Sequence, residues 1–125
     1  MRFTMRPTLR VVAVEPIGAD DAQRSFASGV LSPARQPDTI ADGLRGALSA
    51  RTFDLIRRHV DAIVTVSDEA IVQAMRILWQ HLKIIVEASS AVPYAAVQRH
   101  QLDIGGARVG IILTGGNVDL DELPW

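Results

Sequence analysis

Three places in this 125-residue sequence gather residue types that can do chemistry. The run Glu15-Pro16-Ile17-Gly18-Ala19-Asp20-Asp21 puts carboxylates and free backbone carbonyls within seven residues. Oxygen donors at that density suit a hard cation such as Mg²⁺ or Ca²⁺. Asp20 or Asp21 could equally do no more than cap a following helix. The run Glu87-Ala88-Ser89-Ser90 sets a carboxylate and two hydroxyls where an apolar segment gives way to a helix. They could face a polar ligand, or the serines could cap that helix. In Thr114-Gly115-Gly116-Asn117 two glycines allow a sharp turn or a close approach to a ligand. No Walker-type lysine follows, so the phosphate-loop signal is weak and a plain turn explains the run as well. The histidines, His59, His81 and His100, fall at or near expected helix ends and form no metal-ligand pair or catalytic triad.

The elements that must hold these runs are legible from hydrophobic pattern. Val11–Val14, Ala62–Val66, Ile84–Val86 and Val109–Leu113 are continuously apolar and rich in β-branched residues, the pattern of buried parallel strands. Each candidate run above follows one of these strands, and ligands of open α/β sheets bind at the carboxyl ends of parallel strands. A helix is expected from about Asp20 to Ser28, ending at Gly29, a good C-terminal glycine. Another covers roughly Thr52 to His59. Ser67 followed by Asp68 and Glu69 marks a third helix start, and Ile71, Met75, Leu78 and Leu82 line one face of that helix. A fourth runs roughly from Ala91 to His100, with Pro93 in its first turn. Leu31–Ser49, with Pro33, Pro37 and two glycines, is a long irregular stretch of the kind that is often functional. The expected fold class is α/β, an open, mostly parallel sheet flanked by helices, in a single domain over residues 1–125.

Composition narrows the function classes. Charged residues make up 22% of the chain and the net charge is −1, which gives no electrostatic reason for a nucleic-acid or anionic-membrane partner. Cysteine is absent, which excludes disulfides, thiolate zinc sites and a cysteine nucleophile. No apolar run approaches the ~20 residues needed to cross a bilayer. Arg2, Arg6, Pro7 and Arg10 interrupt any leader-like segment. A cytoplasmic protein is expected.

Taken in order, five segments resemble the fold-type-II pyridoxal-phosphate enzymes. They are Val14-Glu15-Pro16 with Ala19-Asp20-Asp21, Thr39-Ile40-Ala41-Asp42-Gly43, Val64-Thr65-Val66-Ser67-Asp68-Glu69, Lys83-Ile84-Ile85-Val86-Glu87, and Thr114-Gly115-Gly116-Asn117-Val118-Asp119. Within that group the chain is most similar to serine racemases and the short threonine or serine dehydratases, from about Leu9 to Trp125. The resemblance implies the C-terminal half of the large domain of such an enzyme, with the N-terminal half and the small domain missing. It implies a divalent cation held by the side chains of Glu15 and Asp21 and the carbonyl of Ala19. Pyridoxal 5'-phosphate is the implied cofactor, with Thr114 at the pyridine nitrogen, Glu87 near the ring, Gly115 packed beside it, and Asp42 and Gly43 close by. The implied chemistry is dehydration of serine or threonine to a 2-oxo acid and ammonia, or racemisation at the α-carbon. The implied partners are an amino-acid substrate and a second copy in a dimer.

Two departures qualify what the resemblance implies. The family motif after the carboxylate continues Pro-Thr/Ser-Gly/Ala, whereas this chain reads Ala88-Ser89-Ser90-Ala91. The family also needs a Schiff-base lysine and a tetraglycine phosphate loop, and the matching segments hold neither. Lys83, the only lysine, opens an expected strand remote from the cofactor end. The isolated chain is therefore expected to be inactive, for want of the activated amine. The alternative expectation is a non-catalytic binding or regulatory module that pairs with a complementary or homologous subunit, because exposed strand edges seek partners.

Overall fold

The computed structural model describes residues 8–33 and 35–125. Arg2, Arg6 and Pro7 therefore lie outside the described residues. Strand β1 (Val12–Pro16) leads through a 3₁₀ turn (Ile17–Ala19) into helix α1 (Asp21–Ser28). A second 3₁₀ turn (Asp42–Leu44) interrupts the long irregular stretch before helix α2 (Ala50–His59). Strand β2 (Ala62–Val66), helix α3 (Asp68–Leu82) and helix α4 (Ala88–Gln98) follow. The two strands pair in parallel, with Val12 opposite Ala62 and Pro16 opposite Val66. A small parallel sheet flanked by helices is the α/β arrangement that the apolar pattern predicts.

Local chemistry explains most helix ends. Gly29 closes α1 at φ 74°, in the left-handed region that glycine enters without a Cβ penalty. Ser49 accepts from the Thr52 N–H at the start of α2, and Ser67 accepts from the Ala70 N–H at the start of α3. Asp68 and Glu69 add negative charge to the first turn of α3, where the helix dipole favours it.

The core lies where α3 packs on α4 over the sheet. Ile71, Ala74, Met75 and Leu78 of α3 meet Ala91, Val92, Ala95 and Ala96 of α4, together with Val66, Val86 and Ala41. Ala91, Ala95 and Ala96 of α4 are fully buried, and their small side chains let the helix lie close to its neighbours. The expected apolar face of α3 is realised except at Leu82, which is 52% exposed.

Four expectations need correction. Residues 84–86 and 109–113 run without regular sheet pairing and join no ladder among the described residues. The first of these segments lies beside residues 113–117 through one rung, the Glu87 N–H donating to the Gly115 carbonyl at 3.1 Å. The Val86 carbonyl accepts instead from the Trp79 indole N–H at 2.8 Å, so a side chain occupies a ladder position. Lys83 does not open a strand: it ends α3 in the left-handed conformation, φ 59°, with its N–H bonded to the Trp79 carbonyl. Pro93 sits inside α4 rather than in its first turn, because the helix already begins at Ala88. Lacking an N–H, Pro93 leaves the Ser89 carbonyl without its intrahelical partner. Finally, neither Asp20 nor the two serines act as side-chain caps: the N-cap of α1 is Asp20 and that of α4 is Glu87, and neither makes a side-chain cap bond.

At the far end of the chain, Trp125 meets Trp79 edge to face at 5.2 Å, and the Arg76 guanidinium lies over the Trp125 ring. This cluster fastens the last residues to α3.

Candidate functional site

The residues singled out from sequence form two groups, joined by one loop. The first group surrounds the start of α1. Glu15 stands on β1, Ala19 in the first 3₁₀ turn, and Asp21 opens α1. Glu15 Oε2 accepts the Gln23 N–H at 2.8 Å, so a strand carboxylate satisfies a backbone donor that a capping side chain would otherwise take. Asp21 is buried, and its Oδ2 accepts the Leu48 N–H at 3.2 Å. Glu15 is pushed up to about 7 by burial, with the charges of Asp21 and Asp20 adding to the rise against the Gln23 and Ala22 N–H groups. Among the described ion pairs Asp20 binds Arg24 at 2.8 Å, and no basic partner stands against Glu15 or Asp21.

Two carboxylates near enough for the charge of Asp21 to raise Glu15, with no basic partner among the described ion pairs, are an oxygen donor set in keeping with a hard cation. Among the described residues no group of three acidic, histidine or cysteine side chains gathers to hold a metal. The set expected from sequence needs only two carboxylates and one backbone carbonyl.

The second group surrounds the N-terminus of α4. Glu87 is the last residue before the helix, and its Oε2 accepts the Asn117 N–H at 3.1 Å. Ser89 Oγ accepts the Gly43 N–H at 3.0 Å, and Ser90 Oγ accepts the Thr114 N–H at 2.7 Å. Gly43, Glu87, Thr114 and Gly115, four residues from three distant parts of the sequence, are thus brought to one helix end. Close approach rather than a turn explains the glycine pair, strictly at Gly116, whose neighbour is backbone, and more loosely at Gly115. A Cβ on Gly115 would stand 2.6 Å from Glu87 Oε1, and one on Gly116 would stand 2.6 Å from the Ile85 carbonyl oxygen.

Residues 38–43 span both groups. The Asp38 N–H donates to the Gly18 carbonyl at 2.9 Å, beside the first group. A Cβ on Gly18 would lie only 1.6 Å from the Asp38 carbonyl oxygen, so the two backbones touch as only glycine permits. Between them, Asp68 at the start of α3 holds the loop: it accepts the Thr39 hydroxyl at 2.6 Å and the Ile40 N–H at 2.8 Å. Arg45 donates to the Thr39 carbonyl from Nε at 3.1 Å and Nη2 at 2.6 Å. Sequence reading placed Thr39 and Asp68 in separate segments but missed the bond between them, and missed the Gly18–Asp38 contact. The Thr39–Asp68 pair, 29 residues apart, carries no local signal. Gly18, inside an acidic run after a strand, was the visible clue to the other.

A separate apolar groove of about 520 Å³ is lined by Ile77, Leu78, His81, Leu82, Tyr94, Ile111 and Leu113. None of the expected site residues lines it. No helix among the described residues is long and apolar enough to cross a membrane.

Known proteins share both the sequence and the fold. The family model described as "Pyridoxal-phosphate dependent enzyme" matches residues 2–115. A beta-hydroxyaspartate dehydratase of Paracoccus denitrificans is 49% identical over 98% of this chain and 39% of its own length. The serine racemase of Dictyostelium discoideum is 40% identical over 96% of this chain and 38% of its own. The structure of maize serine racemase superposes with a TM-score of 0.87 at 40% identity, covering 94% of this chain and 37% of that one. The chain thus spans less than two fifths of the length of each of these relatives. With a family match over most of its residues and relatives that share its fold, the chain belongs to the pyridoxal-phosphate dependent enzymes.

Proposed function

We propose that this chain is part of a pyridoxal-phosphate dependent ammonia-lyase or racemase acting on a 3-hydroxy amino acid. The observation that carries this reading is the convergence of Gly43, Glu87, Thr114 and Gly115 on the N-terminus of α4, together with the family match. The donor types fit one side of the cofactor ring. In this reading the Thr114 hydroxyl would serve the pyridine nitrogen as a neutral partner, Glu87 would stand near the ring, and Gly43 and Gly115 would leave room for it. When bound, pyridoxal phosphate supplies an electron sink that lets a substrate α-proton leave. A neutral hydroxyl at the ring nitrogen does not force its protonation, and so tunes that sink toward loss of a 3-hydroxyl rather than long-lived charge. For the lyase the overall conversion would be 3-hydroxy amino acid to 2-oxo acid and ammonia; for the racemase it would be inversion at the α-carbon.

Glu15, Asp21 and the Ala19 carbonyl would hold Mg²⁺ or Ca²⁺, whose charge relieves the repulsion between the two carboxylates and stiffens the first turn of α1. The substrate class includes serine, threonine and 3-hydroxyaspartate; the last is favoured by the 49% identity to the dehydratase named for it. Lys83, capping α3, is no candidate for covalent attachment, so the chain alone is inactive. A cysteine-free chain of this family is in keeping with the cytoplasm.

Titration of the purified chain with pyridoxal phosphate, before and after borohydride reduction, tests the reading. Reversible binding weakened by Thr114→Val, with no site-specific adduct after reduction, is expected. A single adduct at Lys83, or production of 2-oxo acid from any of the three amino acids, would overturn the assignment of roles.

The extended segments favour a second reading, a module completed by another polypeptide. Ile84, Ile85 and Ile112 are exposed at 44%, 49% and 80% on segments without a ladder. Sedimentation showing a stable monomer that also fails to bind a lysine-bearing N-terminal half of a relative would dismiss it.

A further inference from the structure

The two hydroxyls in the first turn of α4 serve other parts of the chain rather than their own helix. Ser89 and Ser90 are the second and third residues of α4, and the helix has no side-chain cap. Ser89 Oγ takes the Gly43 N–H at 3.0 Å, sharing it with Asp42 Oδ1 at 2.8 Å. Ser90 Oγ takes the Thr114 N–H at 2.7 Å and, at 3.5 Å, the Gly115 N–H. Consecutive side chains on a helix diverge by about 100°, so adjacent serines reach two different segments from one rigid end.

Burial keeps the Ser90 bond away from solvent. Ser90 is 1% exposed while Thr114 is exposed, so the hydroxyl shields the Thr114 N–H and its loss leaves that N–H to water. On the other side, a Cβ on Gly43 would stand 3.0 Å from Ser89 Oγ. The turn and the serine therefore fit only at close range.

We infer that Ser89 and Ser90 are positioning residues, which together set the separation between the 42–43 turn and the 114–115 segment. The inference depends on the proposed function only for what is held between those segments; the two bonds stand without it. Each serine controls one wall. Loss of Ser90 frees the Thr114 side alone, and loss of Ser89 unties the Gly43 side from α4 while Asp42 Oδ1 still accepts the Gly43 N–H.

Amide hydrogen exchange on the labelled full chain tests this. Ser90→Ala is expected to raise exchange at Thr114 about tenfold beyond any change shared by the core amides of α3, with Gly43 unmoved. Ser89→Ala should leave Thr114 unmoved and raise exchange at Gly43 by a smaller factor, since Asp42 Oδ1 still accepts that N–H, and Ser90→Thr, which keeps the hydroxyl, should restore Thr114. A parallel pyridoxal-phosphate titration should show affinity falling about three- to tenfold in Ser90→Ala and recovering in Ser90→Thr. Equal exchange increases at both sites and in the core, or no increase at either, would overturn the inference. If the crossed exchange pattern holds while the wild-type chain binds no pyridoxal phosphate, the proposed function fails and the positioning role stands.

Discussion

Asp68 is the residue whose removal should loosen both candidate groups at once. Its two carboxylate oxygens hold Thr39 and Ile40 in the middle of the loop that touches Gly18 at one end and Ser89 at the other. A hydrogen bond to a charged acceptor contributes roughly 1.5–3 kcal/mol when the partner is buried, as Thr39 is at 4% exposure. The Ile40 N–H can recover water at 37% exposure, so its share is nearer 1 kcal/mol. A negative charge in the first turn of α3 contributes roughly 0.5 kcal/mol more. Asp68→Ala should therefore destabilise the chain by about 3–4 kcal/mol, a large part of the 5–15 kcal/mol typical of a domain. Asp68→Asn retains one acceptor oxygen and should lose about half as much. In a double-mutant cycle with Thr39→Val the coupling should be about 1.5 kcal/mol. Urea unfolding followed by far-UV circular dichroism measures all of these, provided the m-value is unchanged. A coupling below about 0.5 kcal/mol would refute the argument that this bond anchors the loop.

Other expectations follow from the same geometry. Gly18→Ala must move the Asp38 backbone, and should lower the melting temperature by about 8 °C or more, read by calorimetry. Gly116→Ala should cost more than Gly115→Ala, since the first meets the Ile85 backbone and the second only the movable end of Glu87; equal losses in urea titrations would contradict this. Mg²⁺ or Ca²⁺ at a hundredfold excess over Kd should stabilise the chain by about 2.7 kcal/mol. The gain should vanish on adding chelator and in the Glu15→Gln, Asp21→Asn double variant; a gain that survives the variant places the cation elsewhere. Trp79→Phe removes the donor to Val86 and should cost about 1 kcal/mol in denaturant, on top of any packing loss.

What sequence could and could not disclose divides along a physical line. Features encoded within a few residues were readable: the Gly29 stop, the Ser67 cap with its acidic first turn, and the Ile71-Met75-Leu78 face. The convergence of Gly43, Glu87 and Thr114 was reachable only by resemblance, because nothing local tells a chain segment which helix end it will meet. The misread places involve competition between local options. Ser89 and Ser90 sit where caps belong, yet longer-range N–H groups claim their hydroxyls. Ile84–Val86 has a strand's composition, but composition does not supply a neighbour, and an indole took one of its acceptors.

That indole bond has a kinetic and optical meaning. A polypeptide that pairs along residues 84–86 through the Val86 carbonyl must share that acceptor with Trp79 or displace it, so annealing on that edge perturbs the indole. Trp79 and Trp125 are the only two tryptophans, and they stand in contact. The intrinsic emission of the chain is thus concentrated beside that edge, and would report strand addition there in real time.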